Sequence, residues 1–190
     1  MRSKTALYYY SAGRDIMDNI AVIYKCKHGV TKQYAVWIAQ ELGAIIMEAS
    51  TVTPSQLASF DIVVYGGCLS AGGIDGVELV TKNLCKSLVV FTVGLANPKT
   101  ADYSNILKKN FSRDLLSKTK IFNLRGGIEY KKSGLFRRII LFIVRKFRAD
   151  KKLPEQHVKG DKEFLETHGL IVDRTDKSTI KPLVDYVRSL

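Results

Sequence analysis

Residues 19–43 constrain the fold of this chain more than any other segment. An apolar run at 20–24 leads into a short polar loop at 25–31, and a helical pattern follows at once. Amide groups in the first turn of a helix have no partner within the helix and lie at the positive end of its dipole, so they stabilise an anion. The segment therefore predicts either a phosphate-binding loop or a tight turn, in which Gly29 supplies the backbone conformation and Thr31 caps the helix.

The rest of the chain alternates between short apolar runs and helical patterns. Strands are predicted at 19–24, 44–49, 61–67, 88–94 and 120–124, and helices at about 31–42, 76–86 and 103–117, with a polar connection or helical turn at 54–57. The first helix should bury Tyr34, Ile38 and Leu42, which share one face. Near-continuous apolar strands separated by helices indicate a parallel sheet covered on both faces. We therefore expect one doubly wound α/β domain over residues 19–190, with five parallel strands in the order 2-1-3-4-5 and helices on both faces.

Three loops should meet at one edge of this sheet, because they follow the first, third and fourth predicted strands. The candidate ligand residues of the first loop are Lys25, Cys26, Lys27, His28, Gly29, Val30 and Thr31. Those of the second loop are Gly67, Cys68, Leu69 and Ser70, and those of the third are Gly94, Leu95, Ala96, Asn97 and Tyr103. The convergence of the glycine-rich second loop and the third loop on the first favours a phosphate ligand over a simple turn.

Several of these side chains also have a structural interpretation. Lys25 and Lys27 are either solvated charges or contacts to a phosphate, where a charge-assisted hydrogen bond contributes about 1.5–3 kcal/mol. Cys26 and Cys68 are interpreted more simply as small residues that allow close approach than as a redox pair, and two thiols are too few for a structural zinc site. The sequence thus predicts no metal site, and His28 is either protonated beside an anion or inert.

The chain is strongly basic, with 30 Lys and Arg against 18 Asp and Glu and a formal charge of +12. Residues 118–152 hold twelve basic and two acidic side chains, so they carry nearly all of this excess. Charge gathered on one segment disfavours a general nucleic-acid coat, and no base-stacking aromatic motif accompanies it. The pattern at 134–149 predicts an inserted basic amphipathic helix, which either packs on the core or lies against an anionic membrane surface.

Cysteine usage and apolar runs bear on the cellular compartment. The three cysteines make no disulfide framework, no secretory signal is visible, and no apolar run reaches the ~20 residues that a transmembrane helix needs. We therefore expect a cytoplasmic protein. If the basic helix lies against a membrane, we expect a peripheral contact at the inner face of that membrane. Residues 1–18 do not fit the α/β pattern and are expected to form an N-terminal extension.

Several segments resemble a known family. Residues 20–31 resemble flavodoxins, whose phosphate loop runs Ser/Thr-x-Thr-Gly-x-Thr where this chain has Cys-Lys-His-Gly-Val-Thr. Residues 91–98, and residues 124–130 with the basic stretch at 133–146, resemble more closely the flavodoxin-domain family that includes menaquinone-dependent protoporphyrinogen oxidase. This resemblance covers about residues 19–189 and implies a flavodoxin-like fold that binds FMN.

The resemblance also implies a redox function. In its general form it implies a flavoprotein for electron transfer. In its closer form it implies an FMN-dependent oxidoreductase of the protoporphyrinogen oxidase type, which passes electrons to a quinone. An anionic second substrate, either a tetrapyrrole or a quinone, would then face Arg125, Tyr130, Arg137 and Arg138.

Departures from the flavodoxin pattern leave open an alternative to the redox function. Cys26 and His28 stand where flavodoxins place hydroxyls, and a thiol is a weak hydrogen-bond donor. The second loop has no aromatic residue to stack on a flavin, which leaves Tyr103 in the third loop as the nearest candidate. The alternative is therefore a non-catalytic binding module on the same fold, with a degenerate flavin site.

Overall fold

The computed structural model describes residues 19–26, 29–70, 73–127 and 174–190. All of these residues except Gly127 belong to one compact unit of the chain. Several predictions fall outside the described residues: the extension at 1–18, the basic helix at 134–149, and the site residues Lys27, His28, Tyr130, Arg137 and Arg138.

A parallel sheet forms the centre of this unit. Its strands are β1 (Ile20–Lys25), β2 (Ile45–Glu48), β3 (Ile62–Ser70), β4 (Gly73–Ile74), β5 (Ser87–Gly94) and β6 (Lys120–Arg125). The parallel strands stand in the order β2-β1-β3-β5-β6, and β4 runs antiparallel to the end of β3. This is the predicted order 2-1-3-4-5 with one short hairpin added, so the predicted fold class is confirmed.

Short helices connect the strands. They are α1 (Val30–Leu42), α2 (Pro54–Ser59), α3 (Glu78–Thr81), α4 (Ser104–Asn110), α5 (Arg113–Lys118) and α6 (Lys181–Arg188), with 3₁₀ turns at Ala49–Thr51 and Lys177–Ile180. The start of α1 agrees with the prediction to within one residue. The helix predicted at 76–86 is only the single turn α3. The chain after it runs as irregular backbone towards β5.

The helix predicted at 103–117 is two separate helices. Phe111 and Ser112 have extended backbone angles and separate α4 from α5. The Ser112 side chain accepts a hydrogen bond from the Leu115 amide at 3.2 Å and so caps α5, while Phe111 is buried in the core. The break follows because serine at a helix start satisfies a backbone N–H that otherwise has no partner.

Each face of the sheet carries its own apolar layer, because successive side chains of a strand point to opposite faces. On β1, Val22 lies in the layer under α1 and α6, whereas Ile23 lies in the layer under α2 to α5. Tyr34, Ile38 and Leu42 are all buried in the first layer, so the predicted apolar face of α1 is confirmed.

Tyr34 joins α1 to two distant segments. Its hydroxyl donates to the Arg125 carbonyl oxygen at 2.7 Å and accepts from the Asp176 amide at 3.1 Å, and the residue is fully buried. We expect Tyr34→Phe to lower the free energy of unfolding by roughly 1–3 kcal/mol, because both backbone groups lose this partner. Equilibrium unfolding in urea measures the change.

Tyr186→Phe is the matched control for this variant. The Tyr186 ring packs on Phe122 at 6.0 Å between centroids, while its hydroxyl makes no hydrogen bond with any described residue. Removing that hydroxyl should therefore leave the stability nearly unchanged. If Tyr34→Phe were as stable as this control, the two hydrogen bonds would not be holding the segments together.

Candidate functional site

The ends of four parallel strands meet at one edge of the sheet. Lys25 at the end of β1 pairs with Gly67 of β3. Cys68 pairs with Val93 of β5, which is followed by Gly94 opposite Arg125 of β6. Because the strands are parallel, the chain leaves each of them at this same edge. The structure thus brings the three predicted loops together and adds the end of β6 to them.

The first loop leads into a helix whose N-cap residue is Gly29, which has no side chain to cap it. Gly29 precedes α1 with φ at 89°, a backbone conformation that favours glycine, and a Cβ atom there would meet nothing within 4 Å. The Gly29 amide donates to Cys26 Sγ at 3.0 Å. No described side chain caps the amides at 30–32, and no acidic residue lies in this first turn. These amides are therefore open to an anion.

The loop presents backbone rather than hydroxyl groups. Thr31 is only 1% exposed, so its side chain lies within the core. The residue at the N-cap is Gly29, so the interpretation in which Thr31 caps the helix is wrong. Val30 packs under the end of β6. A Cβ atom added to Gly126, the residue after this strand, would lie 3.3 Å from Val30 Cγ1. A ligand at this helix end would therefore meet N–H donors.

Lys25 is directed away from α1. Alternation along β1 places it on the same face as Ile23, opposite the face on which α1 packs. Its Nζ lies 3.8 Å from Glu48 Oε1, and its stem lies against Gly76. Both partners are well exposed, so the ion pair contributes little and holds the lysine only weakly.

The second loop is largely a hairpin. β3 continues to Ser70, and β4 pairs back on it with Leu69 opposite Ile74. A Cβ atom at Gly67 would lie 2.5 Å from Ile74 Cγ2, and one at Gly94 would lie 2.8 Å from Leu69 Cδ1. Packing within the protein therefore requires glycine at Gly67, where the Asp75 carbonyl oxygen is also only 3.0 Å away, whereas at Gly94 the partly exposed Leu69 side chain can shift.

Asp75 anchors this hairpin, and no sequence pattern indicated it. Its backbone carbonyl accepts from the Tyr65 hydroxyl at 2.7 Å, and its carboxylate accepts a hydrogen bond from the Ser70 hydroxyl. Burial, with the nearby carboxylates of Glu78 and Asp75, raises the pKa of Tyr65 well above its usual value, so this hydroxyl keeps its proton. Only the return of the chain through β4 brings Asp75 to the site edge.

The third loop exposes a leucine and buries a tyrosine. Leu95 is 42% exposed, and Ala96 and Asn97 after it are also exposed. The Asn97 side-chain oxygen accepts from the Lys99 amide at 3.1 Å and fixes a turn. Tyr103 is only 9% exposed, so its ring packs within the protein, and Leu95 is the large apolar side chain that the loop exposes.

Arg125 connects the third loop to the end of β6. Its Nε donates to the Leu95 carbonyl oxygen at 3.3 Å, and the Gly126 amide donates to the Gly94 carbonyl oxygen at 2.7 Å. Within the described part of the chain, no carboxylate lies at ion-pairing distance from the Arg125 guanidinium. The structure therefore places this predicted substrate residue at the site edge.

The cysteines lie in three different settings. The Cys26 thiol belongs to the first loop, and Cys68 is partly buried at the end of β3. Burial raises the pKa of Cys85 to about 11, which suits a packing role away from the edge.

Across the described segments, no group of three or more His, Cys, Asp or Glu side chains is placed to hold a metal ion. Nor does any described helix have the length and apolar character needed to span a bilayer.

Solved structures offer distant likenesses. A flavodoxin, WrbA-like protein from Agrobacterium tumefaciens is 16% identical, with a TM-score of 0.40 over 55% of this chain and 76% of that one. Two-electron reduced flavodoxin from Megasphaera elsdenii is 13% identical, with a TM-score of 0.43 over 55% and 82%. A flavoprotein in complex with FMN from Lactobacillus acidophilus is 10% identical, with a TM-score of 0.38 over 57% and 93%. TM-scores this low do not bear on the family to which the chain belongs.

A family model gives the affiliation. None of the curated protein sequences compared with the chain matches it. A model described as a flavodoxin domain matches residues 21–154, which is most of the chain. The order of the parallel strands is also that of a flavodoxin-like doubly wound sheet. The chain therefore belongs to the flavodoxin-domain family.

Proposed function

We propose that this protein binds FMN at the edge formed by the three loops and acts as a redox protein. The observation that carries the proposal is the uncapped start of α1, which follows β1 at the switch point of the sheet. A helix of 13 residues with open first-turn amides can hold a phosphate through N–H donors and its dipole. Membership of the flavodoxin-domain family makes FMN the phosphate ester to test first.

The residues present fit such a cofactor. Gly29 leaves open space in front of the helix, and Leu69 and Leu95 border the edge, where they would exclude water from a flavin ring. Cys26 stands where flavodoxins carry a hydroxyl, but its sulfur already accepts the Gly29 amide and so shapes the loop. Bound FMN would supply one- or two-electron chemistry, while the protein supplies position and electrostatic surroundings.

An absorption spectrum of the purified protein tests this proposal. We expect flavin absorbance and release of FMN on denaturation. We also expect reconstitution of the stripped protein by FMN, with much weaker binding of riboflavin, which lacks the phosphate. A folded protein that takes up neither flavin would refute the proposal.

A second candidate function is a non-catalytic binding module on the same fold. It is favoured by the close packing of Leu69 on Gly94. A Cβ atom added to Gly94 would lie only 2.8 Å from Leu69 Cδ1. The protein's own side chain thus fills part of the edge between the second and third loops. Failure of FMN to bind, together with normal cooperative unfolding, would favour this function.

A finer form of the redox proposal is an oxidoreductase of the protoporphyrinogen oxidase type that passes electrons to a quinone. It is supported by the charge of +12 and by the guanidinium of Arg125 at the edge, because both suit a carboxylated substrate. FMN-loaded protein incubated with protoporphyrinogen and a menaquinone analogue should form porphyrin faster than a protein-free control. Formation at the rate of autoxidation would remove this finer form and leave FMN binding untouched.

The net charge also predicts the reduction potential of the bound flavin. Reduction adds negative charge to the cofactor, and a protein of charge +12 stabilises that charge. We expect a potential more positive than in acidic flavodoxins, and we expect it to fall as added salt screens the protein charge. A potentiometric titration at two ionic strengths measures both effects. A potential as low as that of acidic flavodoxins, and independent of the salt concentration, would contradict the prediction.

We also propose a cytoplasmic location with a peripheral contact at the inner face of the membrane. The proposal is supported by the twelve basic side chains between residues 118 and 152. Each basic side chain near an anionic surface contributes about 1 kcal/mol. The protein should therefore sediment with phosphatidylglycerol vesicles and stay in solution with phosphatidylcholine vesicles. Equal behaviour towards both lipids would remove the proposal.

A further inference from the structure

Two cysteines follow a pair of residues that face each other at the edge of the sheet. Lys25 is the last residue of β1, and it is paired with Gly67 of β3. The next residues along the two parallel strands are Cys26 and Cys68, so the register brings these two side by side. Neighbouring strands lie about 4.8 Å apart, which is within the Cα separation of about 4.4–6.8 Å that a disulfide spans. The backbone spacing therefore suits a bond between them.

Both cysteine side chains lie on the face of the sheet that α1 covers. Alternation along β1 puts Cys26 on the face of Val22, and alternation along β3 puts Cys68 on the face of Val64. The Cys26 sulfur also accepts the Gly29 amide at 3.0 Å, which places it beside the start of α1. Side chains on one face of neighbouring strands point the same way, as a disulfide requires.

A second set of contacts brings Cys68 to the start of α1. Its partner on β5 is Val93. A Cβ atom added to Gly126 would lie 2.6 Å from Val93 Cγ1 and 3.3 Å from Val30 Cγ1, so these two valines are close neighbours. Val30 is the first residue of α1, and β3 lies between β1 and β5. Cys68 therefore stands between Cys26 and Val93, at the start of this helix.

Cys85 does not compete for either of these cysteines. It lies two residues before the start of β5, whereas Cys68 is paired near the other end of that strand, roughly 20 Å away at about 3.3 Å per residue. Burial also raises the pKa of Cys85 to about 11, so little of the reactive thiolate forms there at neutral pH. Cys26 and Cys68 are thus the pair that the fold can join.

We propose that Cys26 and Cys68 form a reversible disulfide that controls the binding of FMN. Oxidised glutathione is the electron acceptor. One protein thiolate attacks it, which gives a mixed disulfide and releases one reduced glutathione, and the other thiolate then displaces the second glutathione. The two thiols lose two protons and two electrons in all. The control of FMN rests on the proposed function, whereas the disulfide itself does not.

Closing this bond changes the phosphate loop. The Cβ atoms of a disulfide are about 3.8 Å apart, against about 4.8 Å between neighbouring strands, so Cys26 has to move towards β3 by roughly 1 Å. Cys26 lies beyond the last paired residue of β1, so no ladder hydrogen bond opposes this movement. Its sulfur then leaves the Gly29 amide, and the loop in front of α1 loses the contact that shapes it. We expect FMN to bind the disulfide form about tenfold more weakly, as the loss of one hydrogen bond provides.

Oxidation of the folded full-length protein, stripped of flavin, tests the disulfide. After incubation with oxidised glutathione, the mass of the protein should fall by two hydrogens. Glu41 and Glu78 separate the three cysteines in the sequence, so cleavage after glutamate places each cysteine on its own peptide. We expect the peptides of Cys26 and Cys68 to be linked, with Cys85 still alkylated by iodoacetamide once the protein is unfolded.

Cysteine variants locate the bond. Cys26→Ser and Cys68→Ser should each stop at the mixed disulfide with glutathione, because the second thiol is missing. Cys85→Ser is the matched control and should still lose two hydrogens. A bond that includes Cys85 would overturn the proposal. So would unsubstituted protein that excess oxidised glutathione leaves as thiols, or that carries glutathione on Cys26 and Cys68 without a link between them.

The reduction potential of the pair tests the control of FMN. Coupling between two sites is reciprocal, so a tenfold weaker affinity of the disulfide form means that FMN favours the dithiol form by the same factor. Equilibration with mixtures of reduced and oxidised glutathione should therefore give a potential about 30 mV more positive when FMN saturates both forms than when FMN is absent. Equal potentials in the presence and absence of bound FMN would overturn the proposed control.

The proposed function and this inference fail in different ways. Protein that forms the Cys26–Cys68 bond but takes up no FMN in its dithiol form would refute the redox function and support the disulfide. Protein that binds FMN but never forms the bond would support the redox function and overturn this inference.

Discussion

Replacing Gly66 by alanine is expected to lower the free energy of unfolding by about 3 kcal/mol, a large share of the stability of a domain this size. A Cβ atom there would lie 2.5 and 2.6 Å from Cε1 and Cε2 of the Phe91 ring, and closer still to Cζ. Phe91 is fully buried at the paired position on β5, so its ring has little room to move. Urea unfolding followed by circular dichroism measures the loss.

Gly73→Ala is the control for this prediction. The atoms nearest to a Cβ atom at Gly73 are 3.6 and 3.7 Å away, which is ordinary contact, so its stability should change by less than roughly 0.5 kcal/mol. Combining Gly66→Ala with Phe91→Leu should recover part of the loss, because the smaller side chain leaves space for the new methyl group. A Gly66→Ala protein as stable as the control would contradict this close approach of β3 and the Phe91 ring.

Gln33→Glu is expected to weaken FMN binding by about tenfold while riboflavin binding stays nearly the same. Gln33 is exposed in the first turn and a half of α1, so a carboxylate there would repel a phosphate held by the amides before it. Charges about 8 Å apart interact by roughly 1–2 kcal/mol at an effective dielectric constant of ~20–40. Titration of the stripped protein, followed by quenching of flavin fluorescence, gives both affinities.

Gln40→Glu makes the same exchange near the other end of the helix. Gln40 is also exposed, and about 10 Å of helix separates it from Gln33 at 1.5 Å per residue, so its effect on FMN should be small. Gln33→Glu should not reduce stability, because a carboxylate near the start of a helix interacts favourably with the dipole. Equal FMN affinities for the two variants would place the phosphate elsewhere.

The strand order followed from the sequence because buried parallel strands need continuous apolar runs. Ile62–Ser70 and Ser87–Gly94 have such runs, and alternation with helical patterns leaves few ways to order them in a sheet. The first helix was equally clear, since Tyr34, Ile38 and Leu42 repeat at helical spacing. These features depend on residues that are neighbours in the chain, so local patterns are enough to predict them.

The hairpin at β4 and the break before α5 were not predicted. The hairpin depends on Ile74 packing against Gly67, and the break depends on the burial of Phe111 under the sheet. Both contacts join residues whose positions are set by the whole fold. Glycine and serine at these places are compatible with several local structures, so their patterns do not choose among them.

By itself, the sequence determined the parallel α/β architecture and the edge at which the three loops meet, because apolar periodicity dictates which elements form and which faces they bury. Only the tertiary structure decided which side chains remain open at that edge. It turned Lys25 towards Glu48, and it buried both Thr31 and the Tyr103 hydroxyl. Those outcomes depend on packing between strands and helices distant in sequence, and that information is absent from any local pattern of residues.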